Sequence, residues 1–322
     1  MDNSILQVRH LKTYFFTRNG VVKAVDGIDF DVRKGESLCL VGESGCGKTA
    51  TALSILRLID SPPGRIVDGE ILYHNEDLLR CSGERLKQVR GNRIAMIFQD
   101  PQSSLNPVFN VGDQIVEQIR LHLKLKRRKA AERALYLMEQ VGIPQARERM
   151  TDYPHQFSGG MKQRVMIAAA LSCNPEILIA DEPTTALDTT IKAQILDIFR
   201  RLKEETNMSI LFITHDLGTV AGIADRIVVM YGGRVAEAGR LLDIFDEPKH
   251  PYTLGLINCL PTISIQRERL TPIPGMIPSL IDPPEGCIFE PRCQRRMPIC
   301  TEKRPEVVVL SGEHLVACHL YS

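Results

Sequence analysis

Gly42-Glu43-Ser44-Gly45-Cys46-Gly47-Lys48-Thr49 is a complete G-x-x-x-x-G-K-T loop. An apolar run, Ser37-Leu38-Cys39-Leu40-Val41, precedes it and reads as a buried strand; Ala50 to Leu58 follows it and reads as a helix. Such a loop turns backbone N–H groups toward phosphates, and the helix N-terminus adds the positive end of its dipole. Lys48 brings a mobile charge, and the Thr49 hydroxyl is a ligand for Mg²⁺. A glycine-rich structural turn is the plainer reading of the eight residues alone, but the strand–loop–helix setting outweighs it. The loop predicts a site for a nucleoside triphosphate and leaves its use open.

Working outward, Pro175-Glu176-Ile177-Leu178-Ile179-Ala180-Asp181-Glu182 is a second apolar strand, ending in two acids. Asp181 is placed to hold the Mg²⁺ that bridges phosphates, and Glu182 to polarise an attacking water as general base. Strand-end carboxylates are also common helix caps, so the pair gains its meaning from the phosphate loop. Phe157-Ser158-Gly159-Gly160-Met161 leads into a helical run, Lys162 to Leu171. A serine and two glycines there expose several amides and a hydroxyl, a second anion site. Alone, Ser-Gly-Gly is more often a plain N-cap turn. Two phosphate-binding helix N-termini in one chain suggest a composite site shared between two subunits.

With these residues on the page, the chain resembles the nucleotide-binding subunit of an ABC transporter. The family signature appears as Phe157-Ser158-Gly159-Gly160-Met161, where Leu-Ser-Gly-Gly-Gln is the most common form; Ser158, Gly159 and Gly160 are intact. The resemblance implies that Gly42, Ser44, Gly45, Cys46, Gly47, Lys48 and Thr49 bind ATP and Mg²⁺ with Asp181. It implies that Gln99 links Mg²⁺ or the attacking water to the helical subdomain, and that Glu182, His215 and Gln99 form the catalytic set. His215 lies 33 residues after Glu182 at a strand end and matches the histidine that contacts the γ-phosphate. Ala186-Leu187-Asp188 matches the loop that crosses to the partner, so Ser158, Gly159, Gly160 and Asp188 act in trans. An aromatic residue near the N-terminus stacks on adenine; Tyr14, Phe15 and Phe16 compete, and spacing favours Phe15.

The rest of the ATPase part, about residues 5–240, has the matching order of elements. Ile5 to Val32 alternates around Asn19-Gly20 and reads as an antiparallel strand pair; Gly69 to Tyr73 and Arg93 to Phe98 read as strands. From about Val111 to Gly142 the apolar spacing turns helical, a helical insertion within a subdomain of about 103–165. The Lys124–Lys129 run reads as a solvated connection between helices rather than a basic patch. Glu176 to Ala180, Ser209 to Thr214 and Arg226 to Met230 are further short apolar strands. Strands alternating with helices predict an α/β fold of the phosphate-loop NTPase type, with an N-terminal antiparallel β subdomain.

Composition narrows the partners. Of 322 residues, 43% are hydrophobic and 25% charged, ordinary values for a globular chain, and the net charge of +1 gives no basic footprint for nucleic acid. No apolar run reaches the roughly 18 residues of a membrane helix, and Met1-Asp2-Asn3-Ser4 opens no signal peptide. Work at a membrane would therefore need other chains to span it. Nine cysteines, an odd number with Cys39 and Cys173 in apolar elements, argue against a secreted disulfide framework.

Beyond about residue 245 prolines crowd the chain, among them Pro251, Pro261, Pro272, Pro274, Pro278, Pro283, Pro284, Pro291 and Pro298. That density predicts a loop-rich extension, 246–322, attached to a cassette at 1–245. With little core of its own it needs a staple, and Cys287, Cys293, Cys300 and Cys318, spaced C-x5-C-x6-C-x17-C, offer one. Four thiolates suit Zn²⁺ or an iron–sulfur cluster, and the spacing does not choose. His314 and His319 flank the last cysteine and read as bystanders. His250-Pro251-Tyr252 and the Gly286–Cys293 stretch resemble the C-terminal extension of di- and oligopeptide importer ATPases, where four cysteines imply a [4Fe–4S] cluster, with zinc as the alternative.

The resemblance implies an ATPase that powers peptide import from the cytoplasmic face of the membrane. Its expected partners are a second, related ATPase, two permeases and an extracytoplasmic solute-binding protein. Nickel, glutathione and opine importers share the branch. A soluble ABC ATPase of DNA repair or translation would carry coiled-coil insertions or tandem cassettes, which this chain lacks; an iron–sulfur redox module is a third reading.

Overall fold

The computed structural model describes residues 3–100, 104–185, 187–260 and 272–322. Ala186 and Pro261, named in the sequence reading, and position 103, where the helical subdomain is expected to begin, lie outside the described residues. The chain divides into two compact units, one of residues 1–80 and 213–322, the other of residues 81–212.

In the first unit the alternating N-terminal segment forms the strands Ser4–Thr17 and Gly20–Arg33, joined at Arg18-Asn19. Gly64–Tyr73 adds antiparallel to the first of these, so that Val8 faces Phe30 on one side and Ile71 on the other. The inward faces supply Leu6, Leu11, Ile28, Val32 and Ile71, all fully buried. A second sheet in this unit is built on Ser37–Val41, buried at every position and parallel to Arg226–Tyr231. A strand buried on both faces cannot alternate, which explains its continuous apolar run.

That sheet continues antiparallel through Arg234–Arg240, then His314–Val316 and Val308–Ser311. The extension is thus loop-rich but not wholly irregular: between its prolines it donates two strands to the sheet, where no proline interrupts the sequence. It also has a core. Tyr252 and Phe289 pack with Tyr231, their ring centroids 4.6 and 5.1 Å from that of Tyr231, and all three are buried. The aromatic core comes partly from the strand Arg226–Tyr231, which proline density alone could not reveal.

In the second unit Ile94–Ile97 and Ile177–Asp181 run parallel, Met96 opposite Ile179. Helices Val111–Leu123 and Arg127–Gln140 bury Ile115, Ile119, Ala130, Ala134 and Met138, as the helical spacing requires. Asn110 caps the first, its Oδ1 accepting from the Asp113 N–H at 2.7 Å. Lys124 to Lys126 form the short turn between the two helices, with Lys124 left-handed at φ 53° as the C-cap. No described helix is long and apolar enough to cross a membrane.

Candidate nucleotide-binding and hydrolysis site

The strand Ser37–Val41 delivers the chain into the loop Gly42–Thr49, and the helix Lys48–Ile55 leaves it. Two glycines are demanded by space. A Cβ on Gly42 would lie 2.2 Å from the Met230 carbonyl oxygen, and one on Gly47, at φ +102°, 2.1 Å from that of Ala24. At these two positions the loop is pressed onto neighbouring strands with no room for a side chain. Lys48 is only 4% exposed, and its Nζ donates to the carbonyls of Gly42 at 2.7 Å and Glu43 at 3.0 Å. Its charge is held over the loop rather than in bulk water. Cys46 is buried and its thiol is pushed up by desolvation, so it stays neutral. Ser44, Gly45 and Thr49 are exposed.

His215, in the same unit, follows the strand Ser209–Thr214 and is exposed. The turn carrying it is fixed on either side: the Asp216 N–H donates to Thr214 Oγ1 at 3.0 Å, and Asp216 Oδ1 caps the next helix by accepting from the Gly218 N–H at 2.8 Å. Of the three aromatic candidates, Tyr14 donates its hydroxyl to Asp26 at 2.7 Å, Phe15 lies against Gly64, and Phe16 is 49% exposed.

In the second unit, Asp181 ends its strand 1% exposed, and Glu182 follows at 8%. Glu182 Oε2 accepts from Gln99 Nε2 at 3.0 Å and from Thr185 Oγ1 at 2.9 Å. The Glu182 backbone is left-handed, φ 46°, a conformation that costs a non-glycine residue about 1 kcal/mol or more. Thr185 was not singled out from sequence; a hydroxyl three residues after a strand-end acid is the signal that would have found it.

Ser158 is the N-cap of the helix Gly159–Ala170, its Oγ accepting from the Met161 N–H at 3.4 Å. Ser158 and Gly159 are exposed, so their polar groups face outward, whereas Phe157 is 5% exposed and beneath the Arg149 guanidinium. Phenylalanine at the first signature position thus fills an apolar role. A Cβ on Gly160 would meet Ile191 at 3.0 Å, packing this helix against Thr189–Thr206, whose N-cap is Asp188.

In the extension, Cys287, Cys293, Cys300 and Cys318 are all free thiols. Burial pushes Cys287 up to about 11, and the other three thiols act in the same direction. The Cys287 N–H donates to the Cys300 carbonyl at 2.7 Å. Among the described residues, no group of three or more His, Cys, Asp or Glu side chains stands ready to hold a metal ion. His314 Nε2 donates to the buried Glu237 at 2.7 Å, and His319 Nε2 contacts the Lys303 carbonyl, so both histidines have other partners.

Comparison with known proteins fits this geometry. The sequence profile of the ABC transporter family matches residues 25–185, and that of the oligopeptide/dipeptide transporter C-terminal region matches 236–300. The chain is 48% identical to the dipeptide transport ATP-binding protein DppD of Bacillus subtilis, over 98% of this chain and 94% of that protein. It is 49% identical to the oligopeptide transport ATP-binding protein OppD of the same organism, over 97% and 87%. Among solved structures, CbiO1 of Clostridium perfringens superposes with a TM-score of 0.65 at 26% identity, covering 83% of this chain and all (100%) of that one. The dimeric, post-hydrolysis cassette MJ0796 gives 0.66 at 24% identity, over 73% and 98%, a likeness of fold.

Proposed function

Because the chain belongs to the ABC transporter family, in its oligopeptide and dipeptide branch, we propose how its residues divide the work of the ATPase. It is the ATPase subunit of a di- or oligopeptide ABC importer. Residues 1–245 act as the cassette, with a helical subdomain at about 103–165, and 246–322 as the extension. Gly42–Thr49 hold the phosphates, Phe15 stacks on adenine, and His215 contacts the γ-phosphate. Thr49 and Asp181 would hold Mg²⁺, which neutralises phosphate charge; a hydroxyl and a buried carboxylate are the oxygen donors that ion takes. Glu182, oriented by Gln99 and Thr185, takes the proton of the attacking water.

Ser158, Gly159, Gly160 and Asp188 serve the ATP of a partner subunit, a second and related ATPase. The exposure of Ser158 and Gly159 at the start of this helix supports this. ATP then closes two subunits, and hydrolysis releases them; the differential binding of ATP and products drives the motion. Two permeases and an extracytoplasmic binding protein complete the assembly, with this subunit peripheral on the cytoplasmic face. The near full-length identity to dipeptide and oligopeptide ATPases carries the peptide reading. Its test is reconstitution with the permeases and binding protein in vesicles: dipeptides should stimulate ATP hydrolysis and enter. Stimulation by nickel or glutathione with none by peptides would overturn it.

The four cysteines match a [4Fe–4S] cluster in donor type, being free thiols; Zn²⁺ is the alternative. Purified protein should be brown and carry about four irons with sulfide per chain. Cys300→Ser should lower that iron. A colourless protein with one zinc decides for the alternative.

A further inference from the structure

Glu43, an unconstrained position of the phosphate loop, is held at every polar group. Its N–H donates to the Tyr252 hydroxyl at 2.9 Å. Its carbonyl accepts from Lys48 Nζ at 3.0 Å and from the Cys46 N–H at 3.3 Å. Its carboxylate takes a bidentate pair from Arg292, Nη1 at 2.6 Å and Nη2 at 3.0 Å. Tyr252 and Arg292 both come from the C-terminal extension.

Arg292 is built to stay there. Its side chain is 4% exposed. The remaining donors reach the Pro274 carbonyl at 2.9 Å, the Tyr231 hydroxyl at 3.3 Å and the Ile273 carbonyl at 3.4 Å. The guanidinium lies 5.7 Å from the centroid of the Tyr231 ring. All five N–H directions of the fork are used, a geometry lysine does not reproduce.

A carboxylate carried on the loop that cradles a polyanion works against binding unless it is neutralised. The same residue offers the carbonyl on which Lys48 rests, so its position also sets the lysine. We propose that Arg292 is a positioning residue for ATP binding: it neutralises Glu43 and fixes the phosphate loop from the extension. This rests on the ATPase reading given above.

The test is steady-state hydrolysis over a range of ATP concentrations, with fluorescent ATP binding measured alongside. Arg292→Ala should raise the KM and Kd for ATP about tenfold, with kcat changed by less than about threefold. Adding Glu43→Gln to that variant should recover most of the affinity, because it removes the uncompensated charge. High salt should shrink the defect for the same reason. Arg292→Lys, which keeps the charge but loses the fork, should fall between, and it carries the comparison if the alanine variant fails to fold. An unchanged KM in both single variants overturns the inference while the parent enzyme hydrolyses ATP normally. So does a defect that neither Glu43→Gln nor salt relieves, since that marks a structural loss. A parent protein without hydrolysis overturns the ATPase reading and this inference together.

Discussion

Glu182→Gln should lower ATP turnover by about three orders of magnitude while ATP binding persists, within the range lost with a general base. The geometry explains why the change separates the two steps. Glu182 Oε2 accepts from Gln99 Nε2 at 3.0 Å and Thr185 Oγ1 at 2.9 Å, and an amide of the same shape offers an oxygen to both donors. The loop Gly42–Thr49, with Lys48 over it, is untouched by the substitution. What disappears is the basic oxygen that would accept a proton from water. Phosphate release, followed in parallel with equilibrium binding of ATP and Mg²⁺, measures both halves. Turnover within a few-fold of the parent would sink the role given to Glu182. Thr185→Ala, removing one orienting bond, should cost far less, on the order of tenfold.

The parts of this protein legible in its sequence are those whose cause is local. The hairpin at Asn19-Gly20 is legible because only Arg18 and Asn19 separate the alternating strands, with Gly20 already pairing Thr17. The run Ser37–Val41 is legible because burial on both faces leaves apolar residues from Leu38 to Val41. Glu182 could be nominated from its place after a buried strand, but its left-handed backbone and its bonds to Gln99 and Thr185 needed the fold. The pairing of Glu43 with Arg292 spans 249 residues and follows no periodicity, so nothing near either residue announces it. Glu43 occupies a motif position that accepts any residue, which is why pattern reading passes over it. The extension was misjudged in one respect for a similar reason: its core is shared with Tyr231, from a strand outside its own boundaries.

Removing the His314 side chain should destabilise the protein by about 3 kcal/mol, from the loss of a hydrogen-bond donor to a buried carboxylate. Glu237 is 0% exposed and His314 2%. The carboxylate accepts from His314 Nε2 at 2.7 Å, from the Lys249 N–H at 2.7 Å and from the His250 N–H at 2.9 Å. These three donors come from the strand His314–Val316 and from the start of the helix Pro251–Asn258, so one carboxylate pins both to the strand Arg234–Arg240. The His250 ring offers no substitute: burial pushes it down to about 4, and its Nδ1 accepts from the Tyr252 N–H at 3.0 Å. In His314→Ala the carboxylate keeps its two backbone donors and loses its side-chain donor. For a chain of this size the loss corresponds to a melting temperature lower by about 4–5 °C. His314→Gln, which can still donate a proton to Glu237, should recover part of it. Thermal melts of the three proteins make the comparison. Limited proteolysis should cut the alanine variant first in the extension, because the pinned elements are the ones released. A melting point unchanged in His314→Ala would mean that the two backbone donors alone hold Glu237, and that the sheet edge is secured by packing around Val316.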